Sequence, residues 1–172
     1  MKSSTVVLAG AFALVAAVAC AQAPTDAQIA SIVVTANQVD IDAGVLAADR
    51  GTQADVKAFG QMMATDHAGV NKAAVELVTR LKVTPEDNAT SRSLKEGGDK
   101  NLAHLRTLSG AAFDRAYIAQ EVAYHQAVLD ALDKTLVPNA KNADLKALLV
   151  KVRPAFVAHL ERAQQIQTAL GR

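Results

Sequence analysis

From Gln53 to Lys82 the chain sets Val56, Met63, Val70 and Leu77 seven residues apart, with Gly60, His67, Ala74 and Leu81 in a second row between them. Side chains three, four and seven positions apart share one side of a helix, so this spacing predicts a long helix with an apolar face. Such a face has to be covered, and helices of this length are covered most economically by one another. Hydrophobic residues make up 51% of the chain but aromatic ones only 3%, with no Trp. The apolar mass is Ala, Val and Leu, which suits helix-on-helix packing better than a sandwich of strands.

Three more segments carry the same spacing. In "PTDAQIASIVVTANQVDIDAGVLAAD" the apolar positions are Ile29, Ile32, Val33, Ala36, Val39, Ala43 and Leu46, with Thr25 or Asp26 as the cap. Gly51 reads as the end of that helix and Thr52 as the cap of the next. A third helix covers "GAAFDRAYIAQEVAYHQAVLDALDKTL": Ser109 precedes it, Phe113, Tyr117 and Ile118 start its face, and Pro138 ends it. The fourth runs from Ala143 to Leu170 through Val152, Phe156, His159, Ala163, Ile166 and Leu170, and Pro154 should kink it. Between the second and third lies "VTPEDNATSRSLKEGGDK", the least apolar stretch. Pro85 stops a helix there, Gly97-Gly98 weaken one, and Leu94, Leu102, Leu105 and Leu108 suggest a short helix lying on a surface. The expectation is an all-α, four-helix bundle of ferritin-like connectivity, with a long crossover from helix 2 to helix 3 that contains a short helix. A plain up-down bundle is the alternative.

The first 23 residues are different. "MKSS" is followed by the apolar run "TVVLAGAFALVAAVA" and the small residues "ACAQA". This is the order of a secretory signal peptide, cut after Ala19, Ala21 or Ala23, which leaves residues 24–172 as one bundle domain in the periplasm or at the outer membrane. "AVAC" resembles a lipoprotein box, although Ala17 stands where Leu is usual, so Cys20 is a candidate for lipid attachment to a membrane. As the only cysteine, it has no partner for a disulfide or a thiolate cluster. Basic and acidic residues balance at 18 and 17, without a basic patch, which argues against a nucleic-acid partner.

Of four histidines, His104 falls in the connection and is expected to face solvent. His67, His125 and His159 each interrupt the apolar stripe of a different helix, near its middle. In helices of similar length they would lie at similar heights and could share a site. A di-iron carboxylate centre needs Glu-x-x-His pairs. Ala64, Val122 and Phe156 occupy the positions where those glutamates would stand, so that centre is disfavoured. A mononuclear site for Zn²⁺, Cu²⁺ or Ni²⁺ fits imidazole ligands, with Asp66 or Asp114 adding an oxygen. Glu121, one turn before His125, is placed to orient it. The competing reading is a hydrogen-bonded polar core with no ion. No phosphate loop, G-x-S-x-G or H-E-x-x-H is present, so no enzymatic activity is expected.

The phrases "LAADRGTQADVKAFGQMMATDH", "FDRAYIAQEVAYHQAVLD" and "VRPAFVAHLERA" resemble the domain of unknown function 4142 family of exported bacterial proteins, often labelled putative outer-membrane proteins. The resemblance covers roughly Thr25 to Leu170 and rests on Asp66 and His67, on Phe113, Asp114, Tyr117 and His125, and on His159 and Leu160. It implies a ferritin-like bundle and an envelope location, and it brings no reaction. Tyr117 enters as a further residue beside the site on that basis. Members often carry Glu in the first helix where this chain has Asp40 and Asp42, which weakens a carboxylate role there.

Overall fold

A computed structural model describes residues 23–171. The expected leader and Cys20 lie outside the described residues. The described chain is helical, without strands: α1 (Asp26–Arg50), α2 (Ala54–Leu81), α3 (Ala89–Thr107), α4 (Gly110–Ala131), a π-helical turn (Leu132–Leu136), α5 (Val137–Asn139) and α6 (Ala143–Leu170).

Helix α1 packs along α2, and α4 along α6; α2 also meets α6, and α1 meets α4. Hydrogen bonds at the ends give the directions. Asp26 at the start of α1 accepts from the Lys141 and Asn142 N–H groups just before α6, so α1 and α6 run the same way. Asp114 near the start of α4 accepts from the N–H groups of Thr52 and Gln53 just before α2, so α2 and α4 also run together. Each helix thus has antiparallel neighbours and a parallel partner across the diagonal.

The crossover is a full-length return. Glu86 N–H donates to Ala27 O near the start of α1, and Arg50 at its end donates to the carbonyls of Arg106 and Leu108. Helix α3 therefore lies along α1 and parallel to it. The expected short helix is corrected here: Asn88 opens a capping box with Ser91, and the helix runs through both glycines. The reason is Gly98, whose missing side chain lets α3 press onto α1; a Cβ there would come within 2.7 Å of a Val39 methyl. In the α1–α2 contact it is backbone that stands in the way, with a Cβ on Gly44 falling 2.7 Å from Gly60 O.

Of the end signals, the first resolves as one of the two expected caps, and the next two resolve differently. Thr25 caps α1 in a capping box with Gln28, while Asp26 turns to α6. Thr52 does not cap α2 itself; its hydroxyl donates to Asp114 of α4, whose carboxylate takes up the first N–H groups. Helix α4 does not stop before Pro138, because a π turn carries the chain through Leu136 into α5. Helix α6 continues on both sides of Pro154.

The core has two apolar halves. One contains Ile29, Val33, Leu77, Leu129, Leu145 and Leu149, and the other Ala47, Val56, Phe59, Met63, Phe113, Tyr117 and Ile166. Each of α1, α2, α4 and α6 contributes to both. Between the halves lies one buried polar layer: Asn37 and Asp40 from α1, His67 from α2, Glu121 and His125 from α4, and His159 from α6.

Candidate metal centre

The three mid-helix histidines are buried, none more than 3% exposed. Their ring centroids form a near-equilateral triangle: 5.6 Å from His67 to His125, 5.3 Å from His67 to His159, and 5.4 Å from His125 to His159. Three imidazoles on one tetrahedral ion, with nitrogen–metal bonds of about 2.1 Å, would place their centroids ~5.3 Å apart. One nitrogen from each ring lies within 4.8 Å of those of the other two.

Each ring has one nitrogen held by an acceptor. His67 Nδ1 lies 2.7 Å from Asn37 Oδ1, and the Asn37 amide is itself oriented by donating from Nδ2 to Val33 O. His125 Nδ1 lies 3.1 Å from the Glu121 carbonyl. His159 Nε2 lies 3.0 Å from Asp66 Oδ2. In the neutral tautomer that donates to each acceptor, the lone pair sits on the other nitrogen. Those other nitrogens, His67 Nε2, His125 Nε2 and His159 Nδ1, are buried and make no aligned hydrogen bond. An outer acceptor on one nitrogen and a free inner nitrogen is the arrangement of a metal-ligating imidazole.

An oxygen of Asp40 lies beside two of these nitrogens. Asp40 Oδ2 is 2.9 Å from His67 Nε2 and 3.5 Å from His125 Nε2. Ligand atoms on a tetrahedral ion with ~2.0 Å bonds stand ~3.3 Å apart, in the same range. The 2.9 Å pair is close enough for an ion pair, yet neither atom is aligned for a hydrogen bond, and both Asp40 oxygens lack a partner.

Burial sets the protonation. Burial lowers His125 to about 4, against the opposing pull of the Asp40 charge. His159 is also lowered by burial, with Asp66 opposing. Neutral imidazole is the form that binds a metal. Burial would raise Asp40, but the contact with His67, and after it the pull that the His67 and His125 rings exert when protonated, outweigh that and hold it low. Glu121 goes the other way, pushed well up by burial and then by the Asp40 charge. The pair thus divides into an ionised Asp40 and a Glu121 that resists ionisation. Tyr117, wholly buried one turn before Glu121, is likewise raised by burial and by those two carboxyls.

The other expected residues fall as follows. Asp66 does not enter the core. It is 47% exposed and reaches His159 from outside. Asp114 is not brought to the histidines at all: its two oxygens receive the Thr52 and Gln53 groups at the start of α2. Glu121 orients His125 chiefly through its backbone carbonyl, while its carboxyl stands 3.5 Å from Nδ1 and faces Asp40. Tyr117 stacks on Phe113 and borders Phe59 below the layer. His104 is exposed.

Asp40 and Asn37 are the residues that sequence reasoning missed. The signal was present, since Val33, Asn37, Asp40, Gly44 and Ala47 follow a four-three-four-three spacing. The competing stripe runs through Val39, which faces α3. Helix α1 has two covered sides, so two stripes compete in it.

No curated protein and no solved structure matches the chain. A family model described as a domain of unknown function, DUF4142, matches residues 13–166, and the chain belongs to that family.

Proposed function

We propose that the protein is an exported bacterial envelope protein that holds one divalent transition-metal ion in the middle of its bundle, on His67, His125 and His159 with Asp40 as the oxygen donor. The supporting observation is the set of three buried imidazoles, each tied on one nitrogen and free on the other. An ion would satisfy those nitrogens, and the Asp40 carboxylate beside His67 and His125 would offset its charge. Nitrogen-rich ligation suits Zn²⁺, Cu²⁺ or Ni²⁺. The leader-like order of the first 23 residues supports export, and Cys20 is the point at which a lipid would attach it to a membrane.

The test is calorimetric titration of the chelator-treated mature protein with each metal. A single site of micromolar affinity or better is expected, and saturation at a hundred times Kd should stabilise the fold by about 2.7 kcal/mol. The competing reading, a polar core without an ion, draws on the 2.9 Å Asp40–His67 contact. It wins if no metal binds and the melting temperature is indifferent to metal and chelator. The mass of the native N-terminus tests export: an intact Met1 in envelope fractions is incompatible with a cleaved leader.

A further inference from the structure

The three imidazoles are not equally enclosed. Those of His67 and His125 are held by groups inside the bundle, the Asn37 amide and a backbone carbonyl. That of His159 is held by Asp66, a side chain that stands half in solvent. Outside this pair a groove of about 440 Å³ runs between α2 and α6, with Ala58 and Met62 on one wall, Ala155 and Ala158 on the other, and Asp66 and His159 in its lining. On α2, Ala58, Met62 and Asp66 are spaced by four, so they form one stripe facing the α6 alanines. Small side chains keep the groove open where larger ones would close it. The groove's only cationic side chain, Arg162, is paired with Asp55 at 3.0 Å. The uncompensated charge at its end is therefore the Asp66 carboxylate.

We infer that this groove is the entry route for the divalent cation, and that Asp66 and His159 form its gate. This rests on the metal-binding reading above. At rest the His159 Nε2–H donates to Asp66 and the ring stands between groove and core. A hydrated cation arriving on Asp66 replaces that N–H as the carboxylate's partner. The ring, released at its outer end, turns and lets the ion through to Asp40 and the inner nitrogens. With the ion seated on Nδ1, Nε2–H returns to Asp66 and closes the way behind it. His159 Nδ1, 97% shielded with its residue and without a partner, is the atom left for the ion to take. Asp66 is thus a positioning and capture residue, not a core ligand.

Stopped-flow uptake of Co²⁺ by the metal-free full-length mature protein, followed by its visible absorption, tests this. Two variants separate gate from site. Ala155→Phe fills the groove one turn before His159 without replacing a ligand, and it should slow uptake and chelator-driven release by about the same factor, tenfold or more, because a gate alters rates and leaves the equilibrium in place. Asp66→Asn should slow uptake by about tenfold at low salt and flatten its ionic-strength dependence, because the steering charge is gone. Wild-type rates in Ala155→Phe, with Co²⁺ still bound, overturn the gate and leave the site standing. A slowed uptake with unchanged release in Ala155→Phe also overturns it. No Co²⁺ binding by the wild-type chain removes the site and the gate together.

Discussion

Asp40 shows how one carboxylate gives a cluster its sign. Three neutral imidazoles alone would tolerate a cation, whereas an ionised carboxylate 2.9 Å from one and 3.5 Å from another attracts it. Two residues on, Asp42 is exposed and accepts only from Gln38 on its own helix. The pair provides a matched comparison. Asp40→Asn should weaken Zn²⁺ binding by at least about tenfold to a hundredfold, the loss seen even for groups that merely support a ligand, while Asp42→Asn should leave it unchanged. Competition with a chromogenic chelator measures both, and equal effects at the two positions would show that general acidity, not position, matters. The histidines were legible from sequence because each breaks an otherwise apolar stripe. Asp40 was not, because "QVDID" offers two carboxylates and two usable stripes, and only the placement of α3 decides which side is core. Asp114 misled for a related reason. A buried acid in a helix suggests a ligand, but the open N–H groups at the start of a neighbouring helix bind a carboxylate equally well.

At the level of elements, the four bundle helices follow directly from three-four spacing, and some of their ends from Thr25, Gly51 and Pro85. The crossover helix was legible only as a short one, since paired glycines lower helix propensity by about 1 kcal/mol each relative to alanine and mask its full length. Structure separates the two glycines. A Cβ on Gly97 meets nothing within 4 Å, whereas one on Gly98 meets both methyls of Val39 at 2.7 and 2.9 Å. Gly97→Ala should therefore stabilise the protein by about 0.5–1 kcal/mol through propensity alone. Gly98→Ala should destabilise it, by about 1–3 kcal/mol less the propensity gain, as α3 is levered off α1. Urea denaturation of the two variants reads the difference, and equal stabilisation by both would mean that α3 does not pack closely on α1. The π turn before Pro138 was also hidden from sequence, because a proline announces an interruption without saying whether the chain bends, stops or widens by one residue.

For the whole molecule, the polar layer divides the core into two apolar halves joined by every bundle helix. Without an ion the layer holds an ionised Asp40, an elevated Glu121 and several polar atoms lacking partners, all of which cost free energy in a buried setting. Replacing Asp40, His67, Glu121, His125 and His159 together by leucine or methionine should give a metal-free protein at least as stable as the parent, by up to about 1–4 kcal/mol, and blind to added metal. Calorimetric unfolding of the two chelated proteins makes the comparison. A marked loss of stability in the apolar variant would mean that the layer is a net stabiliser without any ion.

The layer has a geometric consequence apart from its chemistry. A bundle whose stripes repeat every seven residues is close to degenerate under sliding: shift one helix by a heptad and alanines still meet leucines. Here that shift would carry His67 to the place of Gly60 or Ala74 and strand Asp40 against hydrocarbon. A single polar position is enough to fix alignment in simpler helical assemblies. Six such side chains on four helices admit one vertical alignment, and the close crossing of Gly44 with Gly60, a turn or more away along α1 and α2, holds those two helices in the same register. The layer is in that sense a vernier, the one height at which four otherwise repetitive rods agree on where they are.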